Sequence, residues 1–145
     1  MIVLDSNILV YAVGRDHALR DHCRAIVAAI RDGIIEATTT IGMIDEFLHV
    51  HAKSRGRAEA VQVAEDYLAL LSPLLVVEEA DLRPAFRLFE RVDGLDVSDA
   101  VLAAAAIRAD AQALISADQA FGRVPRLRHV DPTGESLDGL LAEDA

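Results

Sequence analysis

The chain has little or nothing of several residue types, and each shortage excludes a class of protein. Cys23 is the only cysteine among 145 residues, which excludes an intramolecular disulfide and a zinc site built from cysteines. The chain contains no tryptophan, and aromatic residues make up 4% of it. Stacking of bases on aromatic rings is therefore excluded as a main mode of ligand recognition. We expect Cys23 to be an ordinary buried residue.

Long hydrophobic runs are also missing. No stretch approaches the ~20 apolar residues that a membrane-spanning helix needs. The N-terminal sequence MIVLD lacks the charged start and the cleavage site of a signal peptide. We therefore expect a soluble, cytoplasmic protein.

Positive charge is scarce. The chain has 14 Lys and Arg against 24 Asp and Glu, a formal net charge of −10, which at first disfavours nucleic acid because phosphate binding needs cations. However, carboxylates clustered at a metal site add negative charge until the cation binds. Positive charge is also concentrated locally, in His49, His51, Lys53, Arg55 and Arg57. Net charge alone therefore does not decide the class of ligand.

Aliphatic residues are abundant. Hydrophobic residues make up 52% of the chain, which excludes intrinsic disorder and suits helices packed on a buried parallel sheet. The length fits one domain, so we expect a single domain over residues 1–145. Its acidic tail, from about residue 132, is expected either to form a last short helix or to fray.

Short apolar runs alternate with segments of helical spacing. The runs predict strands at 2–4, 34–39, 74–77, 113–116 and 127–130. The segments between them predict helices at 6–11, 16–31, 41–54, 58–71, 81–92 and 99–109, the last capped by Ser98. This alternation predicts an α/β fold, a three-layer α/β/α sandwich with a mostly parallel central sheet of about five strands.

Three carboxylates fall where predicted strands end or a helix begins. Asp5 follows the first strand, Asp118 lies just past the fourth, and Asp99 opens an Ala-rich helix. Ligands of open parallel sheets bind beyond the carboxyl ends of the strands, so these side chains can face one edge. There they repel one another unless a cation joins them. Mg²⁺ prefers such oxygen ligands and can promote hydrolysis of phosphate esters.

Each acidic residue also has a purely structural interpretation. Asp5 and Asp118 can cap the helical turns that follow them, and Asp99 is favoured by the dipole of its own helix. A helical wheel places Glu46 away from the apolar face, so spacing alone predicts an exposed surface charge. Asp45 competes with Glu46 for any role in the site. The apolar face consists of Ile44, Phe47, Leu48 and His51.

Four segments, taken together and in order, resemble the motifs of PIN-domain proteins. They are MIVLDSNILVYA, TTTIGMIDEFLHV, GLDVSDAVLAAAAI and ALISADQAF, and they span residues 1 to about 130. The resemblance implies a PIN-like fold with an acidic catalytic site. The site residues that it implies are Asp5, Glu46, Asp99 and Asp118.

The resemblance also implies how these residues are used. Metal ligation falls on Asp5, Asp99 and Asp118, with Glu46 and Asp96 as further candidate ligands. It selects Glu46 over Asp45. Asp96 adds a carboxylate one turn before Asp99 and is either a peripheral ligand or a loop residue, the second being favoured. Supporting polar positions fall on Asn7, Ser116 and Ser6.

The compact length and the segment EFLHVHAKSRGR resemble the VapC toxins of type II toxin–antitoxin pairs. This resemblance implies an RNA-cleaving enzyme that uses Mg²⁺ or Mn²⁺, forms a homodimer and is inhibited by a small cognate antitoxin. A housekeeping PIN nuclease remains an alternative, and so does a non-catalytic PIN module that binds RNA or protein.

Basic residues near the middle of the chain are candidate RNA contacts. His51, Lys53, Arg55 and Arg57 can form a phosphate track toward the acidic site. Alternatively, they are solvated cations favoured by the end of a helix. A second basic group is equally ambiguous and consists of Arg123, Arg126, Arg128 and His129.

A phospho-acceptor signalling domain is a rival from another class, because it also arranges carboxylates around Mg²⁺ at strand ends. Such a domain needs an acceptor Asp after its third strand and a Lys after its last. Here the third predicted strand runs into Glu78 and Glu79, and no Lys follows the fifth. These departures disfavour the signalling interpretation.

Overall fold

A computed structural model describes residues 1–144. Its strands are β1 (Ile2–Leu4), β2 (Ala37–Thr38), β3 (Ala113–Ile115) and β4 (His129–Val130). Its helices are α1 (Ser6–Val13), α2 (Arg20–Arg31), α3 (Ile41–Arg55), α4 (Arg57–Leu71), α5 (Leu82–Arg91), α6 (Val97–Arg108) and α7 (Glu135–Asp144). Short 3₁₀ turns lie at Glu79–Asp81 and Gln119–Arg123.

The sheet is parallel, with strand order β2-β1-β3-β4. Ile2 of β1 is in register with Ala37 on one side and with Ala113 on the other. The chain thus leaves β1 toward one edge and later returns on the opposite side of β1. Strand order reverses between β1 and β3, so the crevice for a ligand lies at the carboxyl ends of these two strands.

Side chains of the central strands alternate between two cores, as the pleat requires. Ile2 and Leu4 contribute to one core together with residues of α1, α2, α3, α4 and α7. Val3 contributes to the other core with residues of α5 and α6. Cys23 is fully buried in the first core. The predicted three-layer α/β/α arrangement is confirmed.

The predicted strand at 74–77 is wrong, so the sheet has four strands within the described residues rather than about five. Leu75 donates one backbone hydrogen bond to the Thr39 carbonyl (3.0 Å), but the segment does not continue along β2. Val76 and Val77 are exposed, because no layer covers them. The apolar run therefore lacks the packing that a strand needs.

The predicted helix cap at Ser98 is also wrong. Helix α6 begins at Val97, with Asp96 in the cap position, and the exposed Ser98 lies inside the first turn. The acidic tail forms α7, and Leu137 and Leu140 of this helix are buried in the first core. No helix in residues 1–144 is both long and apolar enough to cross a membrane.

Candidate functional site

Asp5 lies at the carboxyl end of β1 and is buried. Its backbone N–H donates to the Ile115 carbonyl of β3 (3.0 Å), which fixes the residue at the reversal point. Although Asp5 holds the cap position of α1, its side chain makes no capping hydrogen bond. The carboxylate instead accepts hydrogen bonds from Ser116 Oγ (2.6 Å), Asn7 Nδ2 (3.1 Å) and Ser6 Oγ (3.4 Å). These contacts orient an acidic group that the helix does not use.

Ser116 and Asn7 join the ends of β1 and β3. Besides donating to Asp5, the Ser116 hydroxyl accepts from Asn7 Nδ2 (3.2 Å) and from the Asp118 N–H (3.0 Å). Asn7 Oδ1 accepts from the Ala117 N–H (3.3 Å). Ser116 is fully buried, so its hydroxyl satisfies its own hydrogen-bonding capacity while it holds two acidic residues.

Asp118 has the structural role that its position suggests. One carboxylate oxygen accepts from the Ala120 N–H (2.9 Å) and caps the 3₁₀ turn Gln119–Arg123. The cap engages one of the two oxygens, and the charge of the carboxylate still acts on its neighbours. Asp118 raises the pKa of both Asp5 and Asp99.

Asp99 lies in the first turn of α6 and is half-buried. Burial raises its pKa from 3.8 to about 7, with further contributions from Asp5, Asp118, Glu46 and Asp96. Burial also raises the pKa of Asp5, against the hydrogen bonds from Ser116 and Ser6, and the charges of Glu46 and Asp118 raise it further. The acidic residues therefore lie within electrostatic range of one another.

Glu46 is exposed on α3, as the helical wheel indicates. Its charge nevertheless raises the pKa of both Asp5 and Asp99, whereas Asp45 does not contribute to either shift. The structure thus brings Glu46 to the edge of the same acidic group. Asp96, the exposed cap residue of α6, contributes to the pKa of Asp99 from the periphery.

The donor set fits a hydrated divalent cation. All four groups are carboxylates, the hard oxygen ligands that Mg²⁺ and Mn²⁺ prefer. In the described part of the chain, no three His, Cys, Asp or Glu side chains form a ready-made metal cage. Mg²⁺ does not require one, because it keeps several waters and binds through one or two carboxylates. The raised pKa of Asp99 is consistent with a group whose repulsion a cation relieves.

One predicted RNA contact is wrong. His51 is 4% exposed and stacks on Phe47 with ring centroids 5.1 Å apart. It lies four residues after Phe47 and therefore on the same buried face of α3. Lys53, Arg55 and Arg57 are exposed where α3 passes into α4. These three remain available to a ligand.

Two contacts that support the site were not predicted. Thr39 Oγ1 donates to the Leu4 carbonyl (2.8 Å) and ties the start of α3 to the end of β1. His129 lies on β4, next to β3, and its ring Nε2 is 2.8 Å from the Ser116 carbonyl oxygen. The run of three threonines at 38–40 is buried, and a polar run next to a predicted strand end is the signal that could have indicated the first contact.

The sequence matches the PIN domain family over residues 2–127. It is 44% identical to Ribonuclease VapC7 of Mycobacterium tuberculosis, over 99% of each chain. It is 27% identical to Ribonuclease VapC13 of the same organism, over 90% of this chain and 99% of that relative. The fold is similar to that in a crystal structure of VapBC2 from Rickettsia felis bound to a DNA fragment from their promoter. The TM-score is 0.69 at 18% identity, covering 90% of this chain and 98% of that chain. This chain therefore belongs to the PIN domain family, among the relatives of the VapC ribonucleases.

Proposed function

We propose that this protein is a metal-dependent endoribonuclease that hydrolyses RNA phosphodiester bonds at the acidic site. The observation that carries the proposal is the group of interacting carboxylates around the buried end of β1. The 44% identity to Ribonuclease VapC7 supports the reaction class. The proposed catalytic residues are Asp5, Glu46, Asp99 and Asp118.

Each side chain has a distinct task in this proposal. Asp5, Asp99 and Asp118 hold the cation directly or through its waters, and Glu46 orients the attacking water or holds a second ion. A bound Mg²⁺ or Mn²⁺ supplies positive charge for the phosphate and a more acidic water. Ser116 keeps one oxygen of Asp5 fixed and so sets the direction of its carboxylate. Asn7 and Ser6 add to this support.

The substrate strand is proposed to reach the site over the end of α3. Lys53, Arg55 and Arg57 are exposed there, and Lys53 and Arg57 line a surface depression of about 480 Å³. Their charges are suited to phosphate groups. Replacement of all three by Gln should weaken RNA binding and its salt dependence. Unchanged affinity and salt dependence would eliminate this track.

The biological role that we propose is that of a cytoplasmic toxin, acting as a homodimer and inhibited by a cognate antitoxin. The VapC relatives and the VapBC2 structure support this role. Expression of the chain should arrest growth, and co-expression of a small protein encoded next to it should restore growth. Absence of any growth effect from an RNA-cleaving protein would instead favour a nuclease of RNA processing.

A cleavage assay with matched variants tests the enzymatic proposal. Purified protein should cut single-stranded RNA with Mg²⁺ or Mn²⁺ and stop when EDTA is added. Asp5→Asn and Asp99→Asn should each lose at least about 100-fold in rate, whereas Asp45→Asn, an exposed neighbour of Glu46, should stay within about twofold. Undiminished cleavage by Asp5→Asn refutes the site. RNA binding without cleavage under either metal favours the non-catalytic PIN module.

A further inference from the structure

A pocket lined by arginines opens beside α5 and α6, apart from the acidic site. Its volume is about 600 Å³. Pro84, Leu88, Ile107 and Pro125 contribute apolar walls. The arginines that line it are Arg87, Arg91, Arg108 and Arg126.

The positive charge of this pocket is largely unpaired. Asp81, which is 1% exposed, is the carboxylate among the described lining residues. Arg108 already binds it, through Nε (2.7 Å) and Nη2 (3.1 Å). Arg87, Arg91 and Arg126 are exposed and have no carboxylate within 4.0 Å in the described chain. In a protein with a net charge of −10, this pocket reverses the sign of the surface locally.

Three of these arginines are held in two unfavourable arrangements. Arg87 and Arg91 lie four residues apart on α5, where like charges repel and weaken a helix. Arg126 has a φ angle of 65°, a left-handed conformation that is uncommon for a residue with a side chain. Backbone strain of this kind concentrates at ligand sites. An anion held between the guanidinium groups would offset both costs.

Helix α6 connects the pocket to the acidic site. Asp99 lies in its first turn, whereas Ala104, Ile107 and Arg108 line the pocket. The nine residue steps from Asp99 to Arg108 extend about 14 Å along the helix axis. The short connection 92–96 joins the end of α5 to the start of α6, so Arg91 lies at the end of α5 nearer to Asp99. A single strand of a few nucleotides can span this distance.

We propose that the arginine pocket binds phosphate groups of the RNA strand whose scissile bond lies at the acidic site. The inference rests on the proposed ribonuclease function and assigns a second binding surface to the same substrate. Guanidinium groups pair bidentately with phosphate oxygens. Aromatic rings are absent from the described pocket lining, so the contacts are to the RNA backbone and independent of sequence.

Binding measurements with charge-matched variants test the inference. Arg87→Gln/Arg91→Gln removes two charges from the pocket, and Arg15→Gln/Arg31→Gln removes two exposed charges elsewhere. Each protein is titrated into a fluorescently labelled 12-nucleotide single-stranded RNA, in EDTA, at several NaCl concentrations. The pocket variant should bind at least about fivefold more weakly. Its slope of log K against log salt should fall by about 1.4, the value for two lost phosphate contacts. The control variant should stay within about twofold of wild type, and thermal melts should show both variants folded.

The other outcomes overturn the inference in distinguishable ways. If the pocket variant and the control variant lose RNA affinity and salt dependence equally, RNA binding depends on the net charge of the protein and not on the pocket. If the pocket variant keeps its RNA affinity but loses binding to a labelled polyglutamate peptide, the pocket serves a protein partner and the RNA assignment is wrong. If wild type neither binds nor cuts RNA, the ribonuclease proposal fails, and this inference fails with it. If only the pocket assignment is wrong, wild-type protein still cleaves RNA, and the ribonuclease proposal stands.

Discussion

The Ser116 hydroxyl makes three hydrogen bonds at the acidic site. It donates to Asp5 and accepts from the Asn7 side chain and the Asp118 backbone. Because these partners follow two different strands, a single oxygen atom sets both the direction of the Asp5 carboxylate and the path of the chain into Asp118. We therefore expect loss of this hydroxyl to reduce both the rate of cleavage and the stability of the fold.

Ser116→Ala should reduce the rate of RNA cleavage by about 10- to 100-fold. Its free energy of unfolding should fall by about 1–3 kcal/mol, because the buried partners lose a hydrogen bond. Ser116→Thr keeps the hydroxyl and should recover most of the rate, and Ser136→Ala, at an exposed serine, is the control. Single-turnover cleavage and urea unfolding measure the two effects. An unchanged rate in Ser116→Ala would show that Asp5 does not depend on this contact.

Asp99 makes the metal-free protein sensitive to pH. Its pKa is raised from 3.8 to about 7 by burial and by the neighbouring carboxylates. The folded state therefore retains this proton where the unfolded chain has lost it, so stability falls as pH rises from about 4 to about 7. Asp99→Asn removes this effect. In EDTA at pH 8 its Tm should exceed that of wild type by about 2–4 °C.

The difference in Tm between Asp99→Asn and wild type should shrink as the pH is lowered toward 4, because Asp99 of the wild-type protein is then protonated. Thermal melts across this range measure it. Asp66→Asn, at an exposed position on α4, should follow wild type throughout. Equal melting temperatures of Asp99→Asn and wild type at pH 8 would mean that burial and repulsion of the Asp99 charge do not destabilise the metal-free protein.

At the scale of elements, the segment between α4 and α5 shows how a side chain can replace a strand pairing. The Arg108 guanidinium, at the end of α6, donates to the Val76 carbonyl (2.5 Å) and to buried Asp81. Asp81 in turn accepts from the Glu78 backbone N–H (2.9 Å) and closes the turn before α5. The irregular chain at 74–78 is thus held by Arg108 and by the single Leu75 backbone hydrogen bond to Thr39, rather than by a ladder of backbone bonds.

Asp81→Asn should loosen this connection. Burial raises the pKa of Asp81, but the hydrogen bonds from Arg108 and Glu78 outweigh it, and the pKa lies below 3.8. Asp81 therefore contributes stability above that pH, which is lost as the pH falls through the lower folded value. The variant should melt about 5 °C or more below wild type at pH 7, and this gap should narrow in acid. Glu79→Gln, at an exposed position in the same turn, is the control for calorimetry at pH 7 and pH 3. A difference in Tm between Asp81→Asn and wild type that is the same at pH 7 and pH 3 would show that the effect comes from packing and not from charge.

The sequence allowed prediction of those parts of the fold and the candidate site that depend on local pattern. Strand ends indicated Asp5 and Asp118, and a helix start indicated Asp99, because these signals lie within a few residues of each carboxylate. Glu46 could be selected only through the family resemblance, because its helical spacing describes an exposed residue. The contact between Asn7 and Ser116 spans 109 positions of sequence, so only the sheet register brings the two together.

The sequence-based predictions were wrong where burial of a residue depends on other elements that pack against it. The run at 74–77 has the composition of a strand, but nothing covers Val76 and Val77, so composition alone gave the wrong element. His51 was assigned to RNA by its charge and basic neighbours. The helical wheel already places His51 on the apolar face with Phe47, and the structure shows that packing against this face buries it. In both cases burial, which depends on the packed layers, outweighed residue type.

At the scale of the whole molecule, the acidic site joins the two sides of the sheet. Asp5 follows the central strand β1, and Glu46 comes from α3 on one side. Asp99 lies in the first turn of α6, which packs on the other side. A cation bound among them would connect elements that otherwise repel. It would bind the folded chain and not the unfolded one, because these residues are separated in sequence.

Mg²⁺ or Mn²⁺ should therefore raise the Tm of the protein. At a hundredfold excess over the dissociation constant, the gain is about 2.7 kcal/mol. The stabilisation should increase as the pH rises through about 7, where metal-free Asp99 loses its proton. Asp5→Asn and Asp99→Asn should lose it, and Asp45→Asn should retain it. Equal stabilisation of all four proteins would indicate nonspecific binding to a surface of net charge −10.

The pairing of Asp5 with Ser116, 111 positions later, has a consequence for protein synthesis. Translation makes Asp5 well before β3, Ser116 and Asp118. Until then β1 has no neighbour on that side, and the acidic group is incomplete. Truncated products that end before β3 carry Asp5 and Glu46 without Ser116 or Asp118. The order of translation therefore delays completion of the acidic site until β3 has been made.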